Sequence, residues 1–188
     1  MKEEFILKKL LIICALIILF AGLNAKNAFA DQNYSKNVAA GIRNFLIIDE
    51  WKFSFDEDKG IFRFGLNIDG KLKNIDYLVR IHKNAYTVYA ISPLRADSES
   101  KLSIAAMAEF ICRANYGLRN GNFELDCNDG EIRYKIYVNC SEVMPSREIV
   151  RTSILIPAMM FERYSPGILD LIFTDAQPID AIKKCEGD

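Results

Sequence analysis

One histidine, His82, and four cysteines beyond the first thirty residues, Cys112, Cys127, Cys140 and Cys185, are the side chains in this 188-residue sequence best suited to nucleophilic, redox or metal chemistry. A Cys–His pair would give a thiolate nucleophile, but no local motif places a cysteine beside His82. Zinc ligation is not indicated, because there is no CxxC spacing and only one imidazole. The run Asp126-Cys-Asn-Asp-Gly130 resembles the start of a calcium loop. Its glycine falls at the fifth position instead of the sixth, and the twelfth residue is Tyr137 where a bidentate glutamate is needed. Asp56, Glu57 and Asp58 adjoin Lys59 in a turn-like stretch, where solvation accounts for them. No glycine-rich phosphate loop, HExxH or GxSxG occurs. The sequence thus assigns no catalytic residue, no metal and no cofactor.

The densest polar cluster is NYGLRNGNFELDCNDGEIRYKIYV, residues 115–138. Alternation makes it a β-hairpin, residues 122–127 and 131–138, with Asp129 and Gly130 at the tip in a type I′ turn. That register places Asp126 opposite Arg133 and Glu124 opposite Lys135, with Cys127, Leu125 and Phe123 facing Ile132, Tyr134 and Ile136. A half-solvated strand pair therefore explains the charges. In the same register Cys140 lies roughly 26 Å along the strand from the residue opposite Cys127, which excludes a bond between those two thiols. Cys112, Cys140 and Cys185 remain the candidate disulfide cysteines, with buried free thiols as the alternative.

The elements that must position these groups read as follows. Residues 33–49 form a helix with Val38, Ile42, Phe45 and Leu46 on one face. Residues 51–55 and 62–68 alternate as a hairpin about Asp58 and Lys59, pairing Phe55 with Phe62, Phe53 with Phe64 and Trp51 with Leu66. Residues 75–82 and 85–92 make a second hairpin, with Tyr77, Val79 and Ile81 across from Ala90, Val88 and Tyr86, closed by Pro93. Asp97 or Ser98 caps a helix to about Asn115, apolar nearly all round and so expected to be buried. A helix over residues 147–164, kinked at Pro157, is followed by a restart at Pro166 through residues 168–173 and a last helix over residues 178–184. The fold class is α+β: an antiparallel sheet built from three hairpins with helices packed against it.

Half of the residues are hydrophobic, enough for one domain with a real core. Lys8 and Lys9, an apolar run over residues 10–23 and Ala28-Phe29-Ala30 form a secretory signal peptide cleaved after Ala30, leaving one domain over residues 31–188. Fourteen apolar residues fall short of the roughly 18 of a spanning helix, so no stable membrane span is expected after cleavage. An uncleaved anchor is the alternative, since Glu3 and Glu4 dilute the positive start. Without residues 1–30, which hold four Lys and two Glu, 20 basic and 23 acidic residues remain, a net charge of −3. That balance, spread in both signs, excludes a concentrated basic face for nucleic acid.

The cluster 115–138, preceded by KLSIAAMAEFICRA and WKFSFDEDKGIFRFGLNID, resembles the YbjN family of bacterial proteins. The likeness runs from about Trp51 through IPAMMFERYSPGILDLIF. It implies a fold like that of type III secretion chaperones, usually dimeric, and a role in sensory transduction or stress regulation with no catalytic residues to carry over. The signal peptide and the four cysteines depart from that family. On the residues themselves, Leu78, Tyr89 and Ile91 share a sheet face opposite Val79 and Ile81, and Tyr137 shares one with Arg133 and Lys135. If helices cover one side only, these six form a partner surface. The expected function is an exported binding or regulatory module acting on a protein or peptide partner, with a homodimer possible. An extracytoplasmic thiol-redox protein or enzyme and a cytosolic chaperone-like regulator are the alternatives.

Overall fold

The computed structural model describes residues 34–187, so the expected signal peptide and its expected cleavage after Ala30 lie outside the described residues. Helix α1 (Lys36–Ile48) opens at Ser35, whose hydroxyl accepts the Val38 N–H at 3.3 Å. Val38, Ala39, Ile42, Phe45 and Leu46 form its buried stripe, the face expected from periodicity. Strands β1 (Ser54–Asp56), β2 (Ile61–Asn67), β3 (Asn74–Ile81), β4 (Ala85–Arg95), β5 (Asn122–Leu125) and β6 (Glu131–Asn139) make one antiparallel sheet in the order β1-β2-β3-β4-β6-β5. Helices α2 (Lys101–Asn115), α3 (Arg147–Phe173) and α4 (Pro178–Glu186) complete the fold.

The core lies between helices and sheet because the strands alternate. On β3, Ile75, Tyr77, Val79 and Ile81 are buried, while Asp76 and Arg80 are exposed and Leu78 is half-buried. The buried side meets α3 through named bonds: the Tyr77 hydroxyl donates to the Ile154 carbonyl at 2.7 Å, and the Tyr86 and Ser153 hydroxyls bond at 2.9 Å. Phe123 sits among the rings of Tyr134, Phe161 and Tyr164, all at edge-on angles and 4.8–5.5 Å away.

The second hairpin has the expected register, Tyr77 with Ala90, Val79 with Val88 and Ile81 with Tyr86. Pro93 does not close it. β4 runs on to Arg95 across an irregularity between Ile91 and Arg95, where a proline without an N–H is tolerated. In the first hairpin Phe55 does face Phe62, but β1 is three residues long and Trp51 packs on Phe64 instead of Leu66, edge-on at 5.2 Å. Ser100, not Asp97 or Ser98, caps α2 by accepting the Ser103 N–H. Nor is α2 buried all round: Met107, Phe110, Ile111 and Ala114 form one stripe, and Leu102 is 85% exposed. Small residues such as Ala105 and Ala108 inflate apparent hydrophobicity without demanding burial.

Pro157 and Pro166 interrupt nothing, since α3 is one helix of 27 residues. Each proline forfeits one intrahelical bond, to the carbonyl four residues earlier. The carbonyl that Pro166 leaves unpaired is that of Glu162, and the Ser165 hydroxyl donates to it at 3.5 Å. Next to it, Gly167 lets neighbours close in, for a Cβ there would lie 2.5 Å from the Phe110 ring and 2.8 Å from the Ala181 carbonyl.

The third hairpin differs most. Glu124 pairs with Arg133, Leu125 with Ile132 and Asn122 with Lys135, two residues away from the expected register. The turn is not a two-residue type I′. The Asp126 N–H donates to the Glu131 carbonyl at 2.9 Å and the Gly130 N–H to the Asp126 carbonyl at 2.8 Å, closing a loop over residues 127–130. The Asp126 carboxylate, expected opposite Arg133, instead accepts from the Asn128 backbone and side chain, both at 2.9 Å. Gly130 keeps the expected positive φ, at 74°.

Candidate partner surface

Among the described residues, helices pack on one face of the sheet, and the opposite face carries all six residues of the candidate surface. Register places them in rows. Leu78, Tyr89 and Lys135 are neighbours across β3, β4 and β6, flanked by Arg63 and Asn122. In the next row Asp76, Ile91 and Arg133 run between Gly65 and Glu124. Tyr137 stands at the end of the row formed by Arg80 and Thr87. Leu78, Tyr89, Ile91, Arg133 and Lys135 are half-buried, and Tyr137 is 61% exposed.

Glu124 organises one side of this face. It accepts the Arg133 Nε at 2.8 Å and the Lys135 Nζ at 2.6 Å. Partial burial disfavours its charge, but the hydrogen bonds from Lys135 and Arg133 outweigh that and hold its pKa below the ordinary value. The Arg133 guanidinium lies 4.5 Å from the centre of the Tyr89 ring, which fixes both side chains in a cation–π stack. Arg133 also reaches Glu131 at 3.5 Å. On the other side a hollow of about 380 Å³ opens between Arg63, Asp76, Leu78 and Ile91. Arg63, Asp76 and Arg80 were absent from the sequence reading of this surface. The same strand alternation that placed Leu78 on this face also places them there.

His82 is half-buried. Its Nε2 bonds the Thr87 hydroxyl at 3.0 Å, and burial, then the Arg80 charge, pushes its pKa below the usual value. No thiol is its partner. All four described cysteines are free: Cys112 and Cys127 exposed, Cys140 and Cys185 half-buried. The Cys140 thiol bonds the Val138 carbonyl and the Cys185 thiol the Tyr164 carbonyl, each at 3.7 Å. Burial pushes both thiols up, which disfavours the nucleophilic thiolate. The acids of the calcium-like loop are engaged locally: Asp129 accepts the Glu131 N–H at 3.0 Å and pairs with Arg95. No described helix is long and apolar enough to cross a membrane. No family model matches the chain, and no curated protein matches it.

Proposed function

We propose that the protein is an exported, non-enzymatic binding module that engages a protein or peptide partner through the open face of its sheet. The composition of that face carries the reading: Leu78, Tyr89, Ile91 and Tyr137 stand beside Arg133 and Lys135, and no described helix lies over them. Aromatic side chains and arginine are the types enriched where proteins meet. Arg133 is already stacked on Tyr89 and braced by Glu124, so little side-chain freedom remains to be lost on binding. The hollow between Arg63, Asp76, Leu78 and Ile91 offers room for a partner side chain. The likeness to the YbjN family supports a regulatory role, and the Lys-Lys, apolar run and Ala-x-Ala sequence support action outside the cytoplasm.

A photo-crosslinking residue placed at Leu78 or Tyr89 in intact cells tests this. The expected product is a discrete protein adduct, formed by chains recovered from the envelope or medium with Asp31 as the amino terminus. The same probe at exposed Leu102 on α2 should yield none. Absence of adducts from both face positions would discard the surface, and an intact Met1 in a soluble cytosolic fraction would discard export.

A further inference from the structure

Strand β5 is shorter than the strand it pairs with. It covers β6 over residues 132–135, and β6 continues to Asn139 against β4 alone. The phase of the ladder decides which backbone groups this leaves over. The Cys140 N–H donates to the Asn84 carbonyl at 2.8 Å, and the Glu131 carbonyl accepts from the Asp126 N–H at 2.9 Å. Even-numbered positions of β6 therefore bond toward β4 and odd-numbered positions toward β5. Tyr137 and Asn139 are odd and lie beyond the end of β5. Among the described residues their N–H and C=O groups have no hydrogen-bond partner, and both residues are exposed. The chain before β5 does not cover them, because it rises from the helix side, where the Tyr134 hydroxyl donates to the Asn120 carbonyl at 2.6 Å.

Exposed edges are usually guarded by lysine, proline or a bulge. Residues 136–139, Ile-Tyr-Val-Asn, carry none of these. Directly beside them, a groove of about 360 Å³ opens between β6 and α3, lined by Ile136, Val138, Ile149, Thr152 and Ile156. Two charged side chains stand at this groove. Glu148 is met by Arg151 of its own helix at 3.9 Å, whereas exposed Arg119 makes no ion pair among the described residues.

We infer that the free edge of β6 accepts an extended peptide segment as a seventh strand, with a large apolar side chain in the groove and a carboxylate against Arg119. An antiparallel segment would exchange two hydrogen bonds with Tyr137 and two with Asn139. Its residue opposite Val138 shares the face of Val138 and so points into the groove. The unpaired charge of Arg119 selects an acidic neighbour. This inference rests on the binding-module reading but puts the contact at the edge of the sheet, not across its open face.

A displayed library of random peptides selected on the purified protein is the probe. Selected sequences should combine one large apolar residue with a nearby Asp or Glu. The bound peptide should slow hydrogen exchange at the Tyr137 and Asn139 amides. Arg119→Glu, on an exposed loop where folding is not at stake, should weaken binding about tenfold. Leu102→Ala, at an exposed position of α2, should leave affinity unchanged. Selected peptides that lose affinity in Leu78→Ala and leave those two amides unprotected would overturn the edge site while upholding the binding-module reading. Failure to select any peptide, or protection that appears with self-association alone, would overturn the acidic-peptide occupant.

Discussion

Glu124 bridges Arg133 and Lys135, and its carboxylate is the group through which acid should loosen the partner surface. Its folded pKa lies below the ordinary glutamate value, so the stabilisation it provides is full above that value and is lost as pH falls through the folded one. Glu124→Gln should cost about 1 kcal/mol or less at neutral pH, as expected of a partly exposed pair. The cost should vanish at low pH, where both proteins carry a neutral side chain. Urea denaturation at several pH values reads this directly, and a difference that persists unchanged into acid would remove Glu124 from the charge network. The sequence reading made two separate pairs instead, Asp126 with Arg133 and Glu124 with Lys135. The two-residue shift of register puts Arg133 directly opposite Glu124, and Lys135 reaches the same carboxylate diagonally.

At the scale of elements, strand alternation was legible and loop length was not. Faces were read correctly on β2, β3, β4 and β6 because a period of two is fixed by which side is buried. A slip of one residue would have reversed every side chain; a slip of two reverses none, and the third hairpin differs by that amount. The missing information was the Asp126 side chain, which folds back on Asn128 and lengthens the turn. The unbroken α3 was not legible either: proline predicts a kink or a stop, whereas the helix runs through both prolines and is held to the sheet by contacts distant in sequence, such as the Tyr77 bond to the Ile154 carbonyl. Gly130 is constrained by both local and distant structure. Its φ is 74°, its carbonyl accepts the Ala96 N–H at 3.0 Å, and a Cβ there would run into the Ala96 carbonyl. Gly130→Val should therefore destabilise by more than ~1 kcal/mol, the penalty of positive φ alone. An unmoved denaturation midpoint would mean that the loop and the end of β4 are not joined in this way.

In the proposed function the two sides of one sheet separate stability from recognition, and adjacent residues on β3 expose that division. Tyr77 points to the helices, is 2% exposed and donates to α3 at 2.7 Å; Leu78, next in sequence, points to the open face between Arg63 and Tyr89. Removing the Tyr77 ring empties space at the centre of the core and leaves the Ile154 carbonyl without its donor. Tyr77→Ala should cost about 3–5 kcal/mol, much of a domain's stability. Leu78→Ala removes a half-buried side chain with no polar partner and should cost ~1 kcal/mol or less. Crosslinked adducts should show the reverse dependence. With the probe held at Tyr89, Leu78→Ala should reduce partner capture while the chain stays folded. Tyr77→Ala should abolish capture only to the extent that it unfolds the chain, as read by circular dichroism at the same temperature. Equal destabilisation by the two substitutions would mean that the second face is also buried and that the sheet has no free side for a partner to meet.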